Sequence, residues 1–496
     1  MSNDKSSNLD HAIRGGTRTI LIAQIVSQLI SLGVLSALFR LVSTASFGLI
    51  GIIAPWIGLP RMLALAGVQV ALIQPDELSQ QQKSGLFWLN MLIGIVSALF
   101  VVLVGFCLAS LYQVEELSSL GIALCGTSLL MALAASHQSL LERRLAMKQL
   151  TLVRLTAQAI GGAAGVYCAF AKWEVWALVV QQYVELVVLT IGVWCCESWR
   201  PGWSPSMRNL RGLVRFGGYY SLANLVLYVA QNLDKVLLAW FLGTTSAGRA
   251  AVGMYCQAFN LMMRPVYLMS TPLTGVFMPG LSRLRSNPAQ YAELVSRIFR
   301  MTTTVLVPAG IGLALVAPDL MRLMGGTNWQ QAGWILAALA PVILVQGMIN
   351  LAGSIFSSAG RSGWMLAGSV IFTIVLAQGV FAGYWLAGLV AEDGSDPIAR
   401  AIGVATGVSL TTVLVLAIPY LNFCCRTVGV SFYRAIRPAA GAVFAALMMG
   451  ALVFLLGWFL TGYQAWIRVP WMVSLGVAAY ATLGRREIAW LIGQFK

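Results

Sequence analysis

Apolar runs of about 20 residues recur along this chain from Thr19 to Ile492, and no interval between them is long enough to house a folded soluble domain. A helix of that length spans roughly 30 Å, the thickness of a bilayer's hydrocarbon layer. Composition agrees, since 58% of the 496 residues are hydrophobic and only 10% are charged, against roughly 25% charged in soluble domains. The chain therefore reads as an all-α polytopic membrane protein whose function lies among its helices. The polar start, MSNDKSSNLDHAIRGGTRTI, leads into an apolar run with no small-residue cleavage site, which predicts a retained first helix and not a signal peptide.

The runs predict about fourteen transmembrane helices, near 19–39, 49–73, 86–111, 117–141, 150–171, 175–196, 216–242, 250–278, 298–321, 332–358, 364–390, 398–424, 438–461 and 466–484. Of the 32 Lys and Arg, only Arg40, Lys172, Arg249, Arg322, Arg400 and Arg468 fall on one side, and Arg61, Lys235 and Arg264 fall within helices; the rest fall on the other side. The basic side is the cytoplasmic one, so both termini are predicted to be cytoplasmic. This bias accounts for most of the net charge of +15, and no nucleic-acid partner is needed to explain it.

Much chemistry is excluded. The eight cysteines show no metal spacing and read as reduced packing residues. No G-x-x-x-x-G-K-[ST] string is present, so the chain is not itself an ATPase. Neither a metal-ligand cluster nor a Ser/His/Asp set on a sizeable outer loop is found, and no cofactor is implied. Movement of a substrate is the expected activity, and the chain is read as a non-enzyme.

At an offset of 200 residues, LFRLVSTASFG (38–48) aligns with LAWFLGTTSAG (238–248), matching Leu38/Leu238, Thr44/Thr244, Ser46/Ser246 and Gly48/Gly248. Both stretches fall at the outer junction between an odd helix and the next. Six intervening helices preserve orientation, so the pseudo-axis should run along the membrane normal. This predicts two pseudo-symmetric six-helix lobes, residues 1–200 and 201–430, followed by two additional helices in 431–496, with a central site as in transporters. The repeat pairs Arg61, in helix two beside Pro60, with Arg264, in helix eight beside Pro265. An arginine at mid-membrane depth costs about 2.5–3.5 kcal/mol on insertion scales, so each should face water, a counter-ion or substrate.

The remaining intramembrane ions are Glu185, Asp234 and Lys235. They either neutralise the arginines as buried pairs or serve transport. Asp234 and Lys235 adjoin in sequence, and adjacent helical residues point about 100° apart. Each is therefore expected to find its own partner and not the other. Gln181 and Glu185, four residues apart, share a face of helix six. Glu185 is read either as a proton-coupling carboxylate or as a hydrogen-bonded packing residue. His137 is read as a satisfied structural histidine, and Trp88, Trp173 and Trp176 as interfacial anchors.

The segments FRLVSTASFGLIG, GVQVALIQ followed by LFWLNMLIG, LLERRLAMKQL, VWALVVQQ, VRFGGYYSLANLVLYVAQNLDKVLLAWFLG, VFMPGLSRLRSNP, GTNWQQAGWIL and SAGRSGW run in order over about residues 15–440. In that order the chain resembles the polysaccharide transporter branch, the Wzx-type flippases, of the multidrug/oligosaccharidyl-lipid/polysaccharide exporter superfamily. The resemblance implies alternating access and a cationic cavity for the pyrophosphate of an undecaprenyl-linked oligosaccharide. Arg61 and Arg264 fall where related lipid II flippases line such a cavity, and NLDK (232–235) resembles a recurrent motif of helix seven. Gln24 and Gln28 stand where those relatives are expected to carry arginine, and Trp240 where this branch often does.

The reading that follows is a flippase of the bacterial inner membrane serving exopolysaccharide, capsule or O-antigen synthesis. Arg61, Arg264 and Lys235 bind the pyrophosphate, and Gln181, Asn224, Tyr228, Gln231 and Asn232 line the path of the sugar. Asp234 or Glu185 binds a coupling H⁺ or Na⁺ or acts as counter-ion. Expected partners are the lipid-linked oligosaccharide, membrane lipid and other polysaccharide-assembly proteins. The rivals are a cation-coupled multidrug exporter of the same superfamily, an integral-membrane polymerase or ligase acting on the same lipid-linked sugars, and a structural scaffold.

Overall fold

The computed structural model describes residues 23–73, 79–144, 146–203, 211–284, 287–358, 362–390 and 396–494. Within these, the side chains of 61–73, 211–224, 226–227, 270–283, 288 and several residues between 354 and 366 are outside the description. All regular structure among the described residues is helical. Compactness divides the chain at Asn232/Leu233 into two units.

The first unit holds α1 (Ala23–Leu41), α2 (Thr44–Ile73), α3 (Gln80–Tyr112), α4 (Glu116–Arg143), α5 (Met147–Phe170), α6 (Val175–Cys196) and the first part of α7 (Arg211–Leu242). The second holds the rest of α7, α8 (Ser246–Arg283), α9 (Pro288–Gly325), α10 (Gln330–Leu339), α11 (Ile343–Ser358), α12 (Ser362–Val390), α13 (Pro397–Leu410), α14 (Ala417–Thr427), α15 (Phe432–Ile436), α16 (Ala440–Phe459), α17 (Ala465–Leu483) and α18 (Arg485–Gly493). Among the described residues, helix runs through the predicted stretches. Among the described residues nine helical segments are long and apolar enough to cross a membrane, and Thr44–Pro60 is a shorter apolar helix. The protein is a multi-pass membrane protein, and the remaining crossings rest on the sequence reading.

Local chemistry sets the helix ends. Ser79 and Gln82 form a reciprocal capping box at the start of α3, with Ser79 Oγ accepting from the Gln82 N–H at 3.2 Å and Gln82 Oε1 accepting from the Ser79 N–H at 2.9 Å. At its end Gln113 adopts the left-handed conformation with φ 56°. Asn287 and Asp396 cap α9 and α13, each followed by a proline at the first helical position.

Small residues then let helices pack without a hydrophobic driving force between them. In the first unit a Cβ on Gly105 of α3 would lie 2.7 Å from the Cα of Gly121 of α4, so the two backbones touch. Elsewhere α3 leaves Leu92, Val96, Leu99, Leu103 and Phe106 exposed in mid-helix, a face suited to lipid. The α5–α6 turn is sharper: Lys172 and Glu174 both take positive φ, 60° and 48°. This turn carries the Glu174 carboxylate to the start of α2, where Oε2 accepts from the Ser43 N–H and the Ser46 hydroxyl, each at 3.0 Å. Burial raises the Glu174 pKa, but hydrogen bonds from Ser43 and Ser46 outweigh it and leave it below its ordinary 4.5. A depressed carboxylate pKa adds stability that is complete above the ordinary value and is lost as pH falls through the folded value. Glu174→Gln is therefore expected to lower the thermal midpoint of the purified protein above pH 4.5 and to converge on the wild type in more acidic buffer. A difference that persists undiminished in acid would refute the clamp.

In the second unit α9 is central. Its N-terminal half joins a core with α11, α14 and α15 that includes Phe299, Met301, Phe356 and Cys424, and its other half, around Val316, packs against α16 and α17 through Met449, Val453 and Met472. Two ion pairs tie the added helices to it: Arg468 of α17 to Asp319 at 3.1 Å, and Glu487 of α18 to Arg300 at 2.8 Å. Trp490 lies under the Arg300 guanidinium, 4.0 Å from centroid to Cζ. The apolar periodicity did not predict α18, because nine amphipathic residues are far too few to span a membrane.

Candidate functional site

The charged pair of α7 lies in the second unit, against α8. Asp234 is 2% exposed and Lys235 7%. Lys235 Nζ donates to Asp234 Oδ1 at 3.2 Å, contrary to the expectation that neighbours on a helix would each find a separate partner. The rule concerns the directions of the Cβ atoms; four methylenes let the ammonium curve back to a carboxylate that the backbone points elsewhere. Two aromatic residues of α8 complete the arrangement. The Tyr255 hydroxyl donates to Asp234 Oδ2 at 2.8 Å, and Nζ sits 3.5 Å from the centroid of the Phe259 ring. Tyr255 and Phe259 are four residues apart, one above the other on the face of α8 that meets α7. Sequence reasoning missed both, although an i, i+4 aromatic pair on the next helix was an available signal for what a buried Asp–Lys would need.

Arg264 is also on α8 and half-buried. It is nine residues beyond Tyr255, two and a half turns, and so on the opposite face. The structure thus brings Lys235 to Asp234 but not to the Arg264 side of α8. Within their own helices the two arginines hold similar positions: Arg61 is the eighteenth residue of α2 and Arg264 the nineteenth of α8. Both helices begin alike, with Ser43 Oγ accepting from the Ser46 N–H at 3.3 Å and Thr245 Oγ1 from the Gly248 N–H at 3.0 Å. Counted from these caps the offset is 202 residues and not 200, because side-chain identity had aligned positions two residues apart in the helix start. The side chains of Arg61 and Asn224 lie outside the described residues.

In the first unit the Tyr228 hydroxyl sits against Gly58, where any Cβ would overlap it. Tyr228 is thereby placed beside the turn of α2 that leads to Arg61. Asn232 turns its amide back to the Tyr228 carbonyl at 2.9 Å, and Gln231 is exposed. Gln181 and Glu185 share one face as expected, and that face meets α5: a Cβ on Gly165 would lie 2.7 Å from Gln181 Cβ, and one on Gly161 2.6 Å from Glu185 Cβ. Both side chains are half-buried.

His137 is wholly buried and stacks on Trp194 with centroids 4.2 Å apart, with Phe87 edge-on at 6.4 Å. Its ring nitrogens make no geometrically acceptable hydrogen bond, so aromatic stacking holds it in place of the polar satisfaction expected for it. Trp88 donates to the Gly202 carbonyl at 3.0 Å, which ties the chain after α6 to α3. Among the described residues no group of His, Cys, Asp and Glu is arranged to hold a metal.

Residues 37–333 match the model of the family described as polysaccharide biosynthesis protein. The teichuronic acid biosynthesis protein TuaB of Bacillus subtilis (strain 168) is 25% identical over 298 residues, 60% of this chain and 61% of TuaB, so the chain spans about three fifths of that relative. The lipopolysaccharide biosynthesis protein WzxC of Escherichia coli (strain K12) is 22% identical over 423 residues, 84% of this chain and 82% of WzxC. Among solved structures, the lipid II flippase MurJ in its inward closed conformation has a TM-score of 0.70 at 12% identity, covering 95% of this chain and 99% of MurJ; the likeness is one of fold. With the family model matched over 37–333, more than half of 496 residues, the chain belongs to the polysaccharide biosynthesis protein family.

Proposed function

We propose that the protein is a flippase that carries undecaprenyl-pyrophosphate-linked oligosaccharide units from the cytoplasmic to the periplasmic leaflet of the bacterial inner membrane, for synthesis of a surface polysaccharide. The observation that carries this reading is family membership joined to a fold that covers 99% of a lipid II flippase. It moves its substrate by alternating access and makes or breaks no bond. Both termini are cytoplasmic on the charge bias.

In this proposal Arg61 and Arg264 take the pyrophosphate, since a guanidinium offers the planar fork that phosphate oxygens accept. Lys235 adds positive field. Gln181, Asn224, Tyr228, Gln231 and Asn232 offer hydrogen bonds to the sugar. Asp234 serves as counter-ion, and Glu185 is the carboxylate left for coupling to H⁺ or Na⁺. Other polysaccharide-assembly proteins receive the product.

The test is flipping of a fluorescent polyprenyl-pyrophosphate oligosaccharide in reconstituted vesicles, read as the fraction protected from a membrane-impermeant quencher. Arg61→Ala combined with Arg264→Ala is expected to slow flipping by roughly 100-fold or more, since each guanidinium–phosphate contact is a charge-assisted hydrogen bond. Undiminished flipping in the double variant sinks the assignment of these arginines. In cells, deletion of the gene should leave the lipid-linked unit on the cytoplasmic leaflet.

A further inference from the structure

We propose that Lys235 is the resident cation of Asp234, so that the one carboxylate of α7 that an inorganic ion would seek is closed to it while the ammonium is in place. Both carboxylate oxygens are occupied: Oδ1 by Nζ at 3.2 Å and Oδ2 by the Tyr255 hydroxyl at 2.8 Å. The pair is nearly excluded from solvent. Phe259 backs the ammonium, with its ring centroid 3.5 Å from Nζ, and a π face is a surface that favours a cation over any neutral group. Tyr255 and Phe259 act as positioning residues, one fixing the carboxylate and the other the ammonium.

A tethered cation has an advantage that a free ion lacks. Lys235 adjoins Asp234 on one rigid helix, so it meets the carboxylate as an oriented intramolecular partner, whose effective concentration far exceeds that of any dissolved salt. A monovalent metal ion at about 0.1 M cannot compete with it on concentration. Coupling of transport to such an ion, if it occurs through this carboxylate, must begin with departure of the ammonium. The inference rests on the flippase reading only in counting Asp234 among the transport groups. Its test needs no substrate, so its failure leaves that reading intact, and loss of flipping leaves this inference intact.

The experiment follows thermal unfolding of the full-length protein in detergent, in alkaline buffer, with choline chloride exchanged stepwise for sodium chloride or methylammonium chloride at constant ionic strength. Wild type is expected to be indifferent to the exchange. Lys235→Ala, which removes the ammonium and leaves its space, is expected to gain a saturable rise of roughly 2–4 °C with either small cation. Asp234→Asn combined with Lys235→Ala has no buried charge to neutralise and should fold without a cation response. Saturable stabilisation of the wild type by sodium that Asp234→Asn abolishes would overturn the proposal. So would indifference of folded Lys235→Ala to both ions, or failure to recover it even in methylammonium while the double variant folds.

Discussion

Asp234→Leu is expected to cost about 3–5 kcal/mol of stability, because it leaves the Lys235 ammonium buried without its carboxylate. The measurement is a denaturation midpoint in detergent. Adding Lys235→Met should recover most of the loss, since an ion pair exchanged for apolar groups of similar volume is often neutral or stabilising. On the proposed flippase reading the same double variant should be deficient in flipping, which would separate a role of the pair in the fold from one in transport. Tyr255→Phe removes the donor to Oδ2 and should cost about 1–3 kcal/mol. Failure of the second substitution to rescue the first would mean that Asp234 stabilises the protein through groups other than its neighbour.

The second large effect is steric. Gly379 and Gly383 of α12 face Gly403 and Gly407 of α13. A Cβ on Gly383 would overlap the Gly403 carbonyl oxygen, and one on Gly407 the Gly379 carbonyl oxygen. These obstacles are backbone atoms, which cannot swing aside as a side-chain tip can. Gly383→Ala is expected to destabilise by about 1–3 kcal/mol, and Gly383→Leu to leave little folded protein. Gly388, on the same helix, is the control: its nearest neighbour would be the Arg400 guanidinium at 3.5 Å, so Gly388→Ala should be close to neutral. Equal losses at 383 and 388 would refute the α12–α13 approach as the cause, since helix propensity favours alanine over glycine at both positions.

Much of this architecture is legible in the sequence because a membrane requires long apolar runs, and the described residues of those runs are helical. Irregularities within helices are less so. The π-helical turn Thr411–Leu416 and the break at Ala340–Val342 interrupt apolar runs without altering their composition. At the candidate site the buried charges themselves were visible, as was the shared face of Gln181 and Glu185. Tyr255 and Phe259 were not, since aromatic residues on an apolar helix carry no mark of which neighbour they meet. The Asp234–Lys235 contact was misjudged because helical geometry governs where a side chain starts, while the length of lysine governs where its charge ends.

The two ion pairs on α9 act together as a depth gauge. Arg300 and Asp319 are nineteen residues apart, roughly 28 Å along a helix axis, about the thickness of the apolar layer. A slide of the terminal hairpin by one helical turn would draw both contacts apart at once, and neither could reform on apolar residues. The hairpin can therefore tilt or swivel about α9, but its register along that helix is pinned at two points. Any motion that α9 makes along the membrane normal is one its two companions must make with it.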